Sequence, residues 1–145
     1  ARNAAKHSNL PALADDSGII VDHLGGRPGI YSARYAGAHD FVKNIEKVLY
    51  ELKGVALAAR TARFCCTLAI VKSYNDPCPI IASGFWEGFI LEEPVGNNGF
   101  GYDPIFLDPN LGLSAAQISQ ELKNDISHRA QAIKILKPLI AGMHN

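Results

Sequence analysis

The chain has 145 residues, 48% of them hydrophobic and 19% charged, which is typical of one globular domain with a substantial core. Its 14 Lys and Arg residues balance its 14 Asp and Glu residues, so no overall basic field is present to attract a nucleic-acid backbone. No apolar run approaches the roughly 20 residues of a membrane-spanning helix.

The first residues predict the end of a helix. Residues 1–9 include Ala4 and Ala5, which favour a helix, and Pro11 stops it. Because a complete domain rarely begins inside a helix, we expect residues 1–145 to be one domain that is N-terminally incomplete.

The next segment, Leu13 to Val21, predicts a short strand, a polar corner from Asp16 to Gly18, and a second strand. Paired carboxylates can bind a hard cation such as Mg²⁺. Neighbouring side chains in a strand point to opposite faces, so we expect only one carboxylate to reach a common site, and we favour Asp16 as metal ligand or base. The alternative is an Asp-rich turn that bonds its own backbone.

The middle of the chain predicts one helix followed by two buried strands. The helix covers residues 40–53, and the strands cover residues 62–72 and 79–91 as antiparallel neighbours. The helix has an apolar stripe that we interpret as core packing rather than a site: Phe41, Ile45, Val48, Leu49 and Leu52.

The cysteine pattern does not predict a metal site. Cys65 and Cys66 are adjacent in a predicted strand and point to opposite faces, and Cys78 stands apart. We interpret all three as reduced, mostly buried thiols of a cytosolic protein.

The stretch from Asn97 to Phe106 combines glycines, aromatic rings, a carboxylate and a proline. Its glycines and Pro104 exclude a regular helix, yet its rings are too apolar for an ordinary solvent loop. Such a loop suits a flat ligand, because a ring offers a stacking face and Asp103 can bind polar edges. The alternative is a tight turn whose aromatic residues cap the core.

The C-terminal part predicts a capping box at residues 114–117 and a last helix that begins after Ser127 and is bent or interrupted at Pro138. Lys123, His128 and Arg129 gather at the start of that helix. Cations oppose the helix dipole there, whereas the helix start itself favours anions, so we interpret the cluster as an anion site. The alternative is a solvated basic corner.

Together these clusters supply a carboxylate for a metal, a stacking loop and a basic helix start. This combination suits a nucleoside triphosphate, whose base stacks, whose phosphates share Mg²⁺, and whose charge is offset by lysine or arginine.

The chain resembles the inosine/xanthosine triphosphate pyrophosphatases in several long motifs that follow one another at consistent spacing. They are residues 13–18 (LADDSG), 24–37 (LGGRPGIYSARYAG), 62–64 (ARF), 99–106 (GFGYDPIF) and 126–129 (ISHR). The resemblance implies an α/β fold with an elongated mixed sheet flanked by helices in two lobes. It also implies Mg²⁺-dependent hydrolysis of ITP, dITP and XTP to the monophosphate and pyrophosphate, which removes deaminated purines from the nucleotide pool.

The resemblance also implies roles for individual residues. Asp16 corresponds to the proton acceptor and a metal ligand. The residues that correspond to substrate contacts are Ser17, Phe100, Gly101, Tyr102, Asp103, Lys123, His128 and Arg129. The family further implies a homodimer. From the balanced charge and the lack of a long apolar run we expect no binding to nucleic acid or membrane, and from the cysteines we expect a cytoplasmic protein.

The chain departs from the family in one respect. A phosphate-gripping Thr/Ser-x-Asn-x-x-Lys loop and a second acidic metal ligand do not occur in these residues. We therefore expect the chain as printed to hydrolyse ITP poorly or not at all. Two rival interpretations are a catalytically inactive nucleotide-binding or interaction domain of the same fold and a pyrophosphatase for another modified nucleotide.

Overall fold

The structure is a computed structural model that describes residues 1–142. Its α-helices and strands follow in the order α1 (Arg2–Ser8), β1 (Ala12–Val21), α2 (Phe41–Glu51), β2 (Thr61–Val71), β3 (Ile80–Ile90), β4 (Phe106–Asp108), β5 (Leu113–Ser114), α3 (Gln120–Ile126) and α4 (His128–Ala141). Short 3₁₀ helices cover Asp22–Leu24, Gly29–Arg34, Leu57–Ala59, Asp103–Ile105 and Ala115–Gln117. The α/β class expected from the sequence is confirmed.

The strands form one five-stranded sheet in the order β1-β2-β3-β4-β5. All four pairings among the described residues are antiparallel, whereas the resemblance implies a mixed sheet. The long strands β1, β2 and β3 are successive neighbours, so β1 lies at one edge of the sheet that residues 1–142 form. The predicted antiparallel pairing of β2 with β3 is confirmed.

β1 is a single strand of ten residues, so the predicted polar corner from Asp16 to Gly18 is wrong. The ladder with β2 runs through this stretch without a break, from Ala12 opposite Val71 to Val21 opposite Ala62. Pairing with β2 thus overrides the turn preference of the Asp-Asp-Ser-Gly sequence. As a result, the alternation of side chains between the two faces continues through Asp15, Asp16 and Ser17.

Helix α4 packs on one face of β2 and β3 and brings its N-terminus over the sheet. Gly84 permits this packing, because a Cβ atom at that position would collide with the His128 carbonyl oxygen and the Ala132 nitrogen. The predicted N-cap is confirmed, since the Ser127 hydroxyl accepts a hydrogen bond from the Ala130 N–H. Pro138 lies inside α4, and the helix continues past it to Ala141, so the predicted interruption does not occur.

The main core lies between the sheet, α2 and the 3₁₀ segments. From the apolar stripe of α2, Ile45, Val48 and Leu52 belong to this core, and Leu49 packs against it. The predicted capping box is confirmed, with Gln117 accepting from the Ser114 N–H, although the helix that it starts is only a short 3₁₀ turn. Within residues 1–142, no helix has the length and apolar character needed to cross a membrane.

Candidate functional site

A cavity of about 510 Å³, here called the large cavity, opens where β1, the 100–103 loop, α3 and the start of α4 meet. Its volume lies in the range of small-molecule sites. It is lined by Asp15, Ser17, Gly18, Ile19, Ser32, Ala33, Phe41, Phe64, Phe100, Gly101, Tyr102, Asp103, Gln120, Lys123, Asn124, Ser127, His128, Arg129, Ala130 and Ile133. All eight predicted substrate contacts are among them. The structure therefore brings together the loop cluster and the basic cluster, which lie apart in the sequence.

A buried ion pair between Asp103 and Lys123, here called the inner pair, lines the large cavity. The Lys123 Nζ lies 2.7 Å from Asp103 Oδ2, and the side chains are only 10% and 7% exposed. Asp103 Oδ2 also accepts a hydrogen bond of 2.9 Å from the Phe100 N–H. The inner pair thus fixes the loop to α3 in a setting where losing either partner would leave a buried charge.

The loop that carries Phe100 depends on glycine. Gly99 has φ +75°, and a Cβ atom there would collide with Asp103 Oδ2. The backbone is held on its other side by a hydrogen bond of 3.0 Å from the Asn98 N–H to the Ala116 carbonyl oxygen. Phe100 in this loop is 67% exposed and lines the cavity, and the Lys123 Nζ lies 5.9 Å from the centroid of its ring.

Tyr102 lines the large cavity from a buried position. Its side chain is buried, and its hydroxyl donates a hydrogen bond of 2.7 Å to the Ser32 carbonyl oxygen. Burial raises the pKa of the Tyr102 hydroxyl, which therefore stays protonated as a donor. Tyr102 thus lines the large cavity, and its hydroxyl links the loop to the 3₁₀ helix Gly29–Arg34.

The rim of the large cavity carries a second ion pair, between Asp15 and Arg129, here called the outer pair. Arg129 Nε lies 2.7 Å from Asp15 Oδ2, and Nη2 lies 3.2 Å from Oδ1 and 3.3 Å from Ser17 Oγ. The side chains are 41% and 32% exposed. Hydrogen bonds from Arg129 lower the pKa of the Asp15 carboxyl, so it stays ionised at neutral pH.

His128 lies between the two pairs. Its ring stacks on Phe64, with the ring centroids 4.9 Å apart and the planes 17° from parallel. Burial, with a further contribution from Arg129, lowers the pKa of the imidazole to about 4, so His128 is neutral at pH 7. Among the described residues, its Nδ1 is the one buried side-chain nitrogen or oxygen without a hydrogen-bond partner.

Asp16 lies away from the large cavity. The expectation that Asp16 shares a cleft with Phe100 and Arg129 is wrong, because strand alternation turns its side chain to the opposite face of β1, and Asp15 takes the place beside Arg129. Asp16 lines a second cavity of about 170 Å³, here called the small cavity, together with Cys65 and Thr67. Of the two neighbouring carboxylates, Asp15 therefore lines the large cavity and Asp16 lines the small one.

The two cavities adjoin at the edge strand. Ser17 and Gly18 line both, so a ligand that extends from the large cavity over this part of β1 would reach the face that carries Asp16. The catalytic and metal-binding roles of Asp16 stay predictions. The cysteines of β2 divide between the faces as expected, with Cys66 buried and its Sγ 3.7 Å from Asp15 Oδ1.

The described residues do not by themselves form a complete metal site. No group of three or more His, Cys, Asp or Glu side chains in residues 1–142 could hold a metal ion. Mg²⁺, however, is commonly bound through one or two carboxylates together with substrate phosphates and water. Asp16 offers such a carboxylate, because it is exposed and has no ion-pair partner among the described residues.

Sequence reasoning missed several lining residues. Phe41 was interpreted as core packing, yet it lines the large cavity and is 38% exposed. Ile133 of α4 lines the cavity as well. Gln120 and Asn124 belong to α3, whose N-cap is Ser119, with its hydroxyl accepting from the Leu122 N–H. Ser119 was the local signal that could have revealed this helix.

Comparisons with known proteins agree with one another. Residues 1–139 match the model of the Ham1 family. A dITP/XTP pyrophosphatase of Xylella fastidiosa is 53% identical over 138 residues, which cover 94% of this chain and 69% of the relative. The protein of the same name from Escherichia coli O157:H7 is 54% identical over 138 residues, covering 94% of this chain and 70% of the relative.

Solved structures give the same result. A HAM1 protein from Coxiella burnetii superimposes with a TM-score of 0.93 at 46% identity, covering 98% of this chain and 73% of that one. A structure from Mycobacterium abscessus, described as a nucleoside-triphosphatase and dITP/XTP pyrophosphatase, has a TM-score of 0.82 at 38% identity, covering 97% and 71%. Both likenesses extend over nearly the whole of the chain.

Proposed function

The chain belongs to the Ham1 family, and on this premise we propose that it hydrolyses deaminated purine nucleoside triphosphates, namely ITP, dITP and XTP, to the nucleoside monophosphate and pyrophosphate. The enzyme is thus a nucleoside triphosphate pyrophosphatase, and its reaction removes deaminated purines from the nucleotide pool. The observation that carries this proposal is the convergence of all eight predicted substrate contacts on one large cavity.

The inner pair can distinguish a 6-oxopurine from adenine. A 6-oxopurine presents its O6 acceptor beside its N1–H donor, and adenine presents the reverse. Lys123 has three N–H donors and gives one to Asp103, while Asp103 accepts both of its hydrogen bonds through Oδ2 and keeps Oδ1 for a ligand. The pair therefore offers a donor beside an acceptor. With adenine, the Lys123 donor would face the 6-amino donor and the Asp103 acceptor would face the N1 acceptor, which leaves buried polar groups unpaired at a cost in binding free energy.

The phosphates would extend from the large cavity over Ser17 and Gly18 towards Asp16. Arg129 lies beside Ser17 on this path. Its Nη1 has no hydrogen-bond partner among the described residues, so it can donate to a phosphate oxygen. Asp16 would accept the proton of the water that attacks the α-phosphorus, and pyrophosphate would leave. The neutral His128 can donate one hydrogen bond without adding charge near the base.

Mg²⁺ belongs to this proposal. When bound with the phosphates, it would neutralise charge that develops on them and on the leaving pyrophosphate. Asp16 is the described residue that would hold it. A homodimer is likewise part of the proposal, supported by the resemblance, and so is a cytoplasmic location, supported by the free thiols of Cys65, Cys66 and Cys78.

The test of base recognition is a ranking of substrates. Pyrophosphate release from ITP, dITP, XTP, GTP and ATP would be measured with Mg²⁺ at equal concentrations, and ITP should exceed ATP by at least about 100-fold in kcat/KM. The ranking is decisive, whatever the absolute rate. Equal kcat/KM for ITP and ATP would contradict the proposal.

The adjacent carboxylates provide a matched pair for the chemistry. Asp16→Asn should lower kcat by about 10²- to 10⁴-fold, as expected for loss of a general base. Asp15→Asn keeps a hydrogen-bond acceptor beside Arg129 and should lower kcat much less. If Asp15→Asn lowers kcat more than Asp16→Asn does, then Asp15, which lines the large cavity, is the general base instead of Asp16.

A further inference from the structure

The start of α2 places an aromatic ring in the large cavity that neither the sequence motifs nor the resemblance assigns. Phe41 is the first residue of α2, directly after the N-cap Asp40. Ile45, Val48 and Leu52 of the same stripe are buried in the core, whereas Phe41 is 38% exposed and lines the cavity. Helix α2 thus contributes packing at its middle and a wall of the site at its beginning.

Contacts with the nucleotide loop fix the orientation of this ring. Phe41 and Tyr102 meet edge to face, with ring centroids 6.3 Å apart and planes at 85°. A Cβ atom placed on Gly101 would lie 3.4 Å from Phe41 Cε1, so the ring rests against the loop backbone. Because Tyr102 is itself held by Ser32, Phe41 is positioned before any ligand arrives.

We propose that Phe41 contacts the substrate and that its ring forms an apolar face against which the purine ring packs. This inference rests on the proposed function and adds a contact to it. The inner pair binds the polar edge of the base, and an aromatic face binds its flat surface without regard to the edge groups. Phe41 therefore contributes to affinity for purines in general and not to the choice between 6-oxo and 6-amino purines.

The experiment measures binding of inosine 5′-monophosphate (IMP) by isothermal titration calorimetry. Phe41→Ala should weaken binding about tenfold, as expected for loss of one stacked ring. Phe41→Tyr, which keeps the ring, should bind within about twofold of the unaltered protein. Val42→Ala is the matched control, because Val42 is the next residue of α2, is 66% exposed and does not line the cavity. It should leave affinity unchanged.

A second readout separates contact from structural support. Nuclear Overhauser effects between Phe41 ring protons and the base protons of IMP should appear in the complex. If Phe41→Ala does not fold, Phe41→Leu should still weaken binding, because it keeps apolar volume but lacks a planar face. Unchanged affinity in the alanine or leucine variant, or absence of these Overhauser effects in a formed complex, would overturn the inference alone. Failure of the unaltered protein to bind IMP would overturn the proposed function with it.

Discussion

The two ion pairs of the large cavity differ in burial, and this difference separates their roles. The inner pair joins Lys123 to Asp103 at 2.7 Å with both side chains at most 10% exposed, and the outer pair joins Arg129 to Asp15 at the same distance with both about one-third exposed or more. Equal distances therefore do not mean equal energies. The inner pair lies in a medium that makes an unpaired charge costly, whereas water screens the outer pair.

The strongest way to test this difference is to remove the cation of the inner pair. Lys123→Met should lower the free energy of unfolding by about 3–5 kcal/mol, because Asp103 would remain buried without a counter-ion. Chemical denaturation followed by circular dichroism would measure the change. A loss below about 1 kcal/mol would show that the inner pair is no more consequential than a surface ion pair.

Crowding the inner pair should have the next largest effect. Gly99→Ala would force a left-handed backbone on alanine and push a methyl group into Asp103, at a cost of about 2–3 kcal/mol in unfolding free energy. Gly25→Ala is the matched control, since Gly25 has φ +64° and open space around the Cβ position. The control should lose about 1 kcal/mol. Equal losses would mean that the contact with Asp103 contributes nothing.

The pKa of His128 depends on the charges of both ion pairs, so its titration gives a third test of the difference between them. Its pKa lies at about 4 in the folded protein, below the ordinary value of 6.5, so acid protonates the unfolded chain first. The stability that neutral His128 contributes is fully present above pH 6.5 and is lost as the pH falls towards 4. After allowance for partial exposure, the loss should be about 1–2 kcal/mol.

This pH dependence is measured as the slope of unfolding free energy between pH 7 and pH 4.5. His128→Gln should flatten the slope, and His39→Gln, at an exposed position, should leave it as it is. An unchanged slope in His128→Gln would show that the imidazole is not held neutral by its surroundings.

The smallest effect is expected at the outer pair. Arg129→Met should lower the free energy of unfolding by less than about 1 kcal/mol, and the difference should shrink further in 1 M salt. The same denaturation series at low and high salt measures both. A loss as large as that of Lys123→Met, unaffected by salt, would remove the distinction between the pairs.

The contrast also shows which parts of the molecule the sequence predicts. Periodicity located α2, β2 and β3, and the Ser127 cap located the start of α4, because these signals arise from neighbours in the chain. The eight substrate contacts were assigned through the resemblance, and the structure brings them to one cavity. The distances between these residues could not be predicted from the sequence, because they depend on how α4 packs over the sheet.

The misplaced residues have a common physical cause. Asp16 was favoured because a glycine two positions later indicated a corner, but pairing with β2 keeps β1 extended and directs Asp15 to the cavity instead. Phe41 belongs to an amphipathic stripe that correctly predicts the core for Ile45 and Val48. Periodicity does not predict which residue of an apolar stripe lies outside the core, because that depends on how long the helix is relative to the elements packed against it.

In the proposed function, the large cavity recognises the 6-oxo edge of a purine through the inner pair. Titration calorimetry of the unaltered protein with IMP and with adenosine 5′-monophosphate tests this most directly, because the two ligands share sugar and phosphate. We expect IMP to bind at least about tenfold more tightly than adenosine 5′-monophosphate. Equal affinity for the two nucleotides would contradict it.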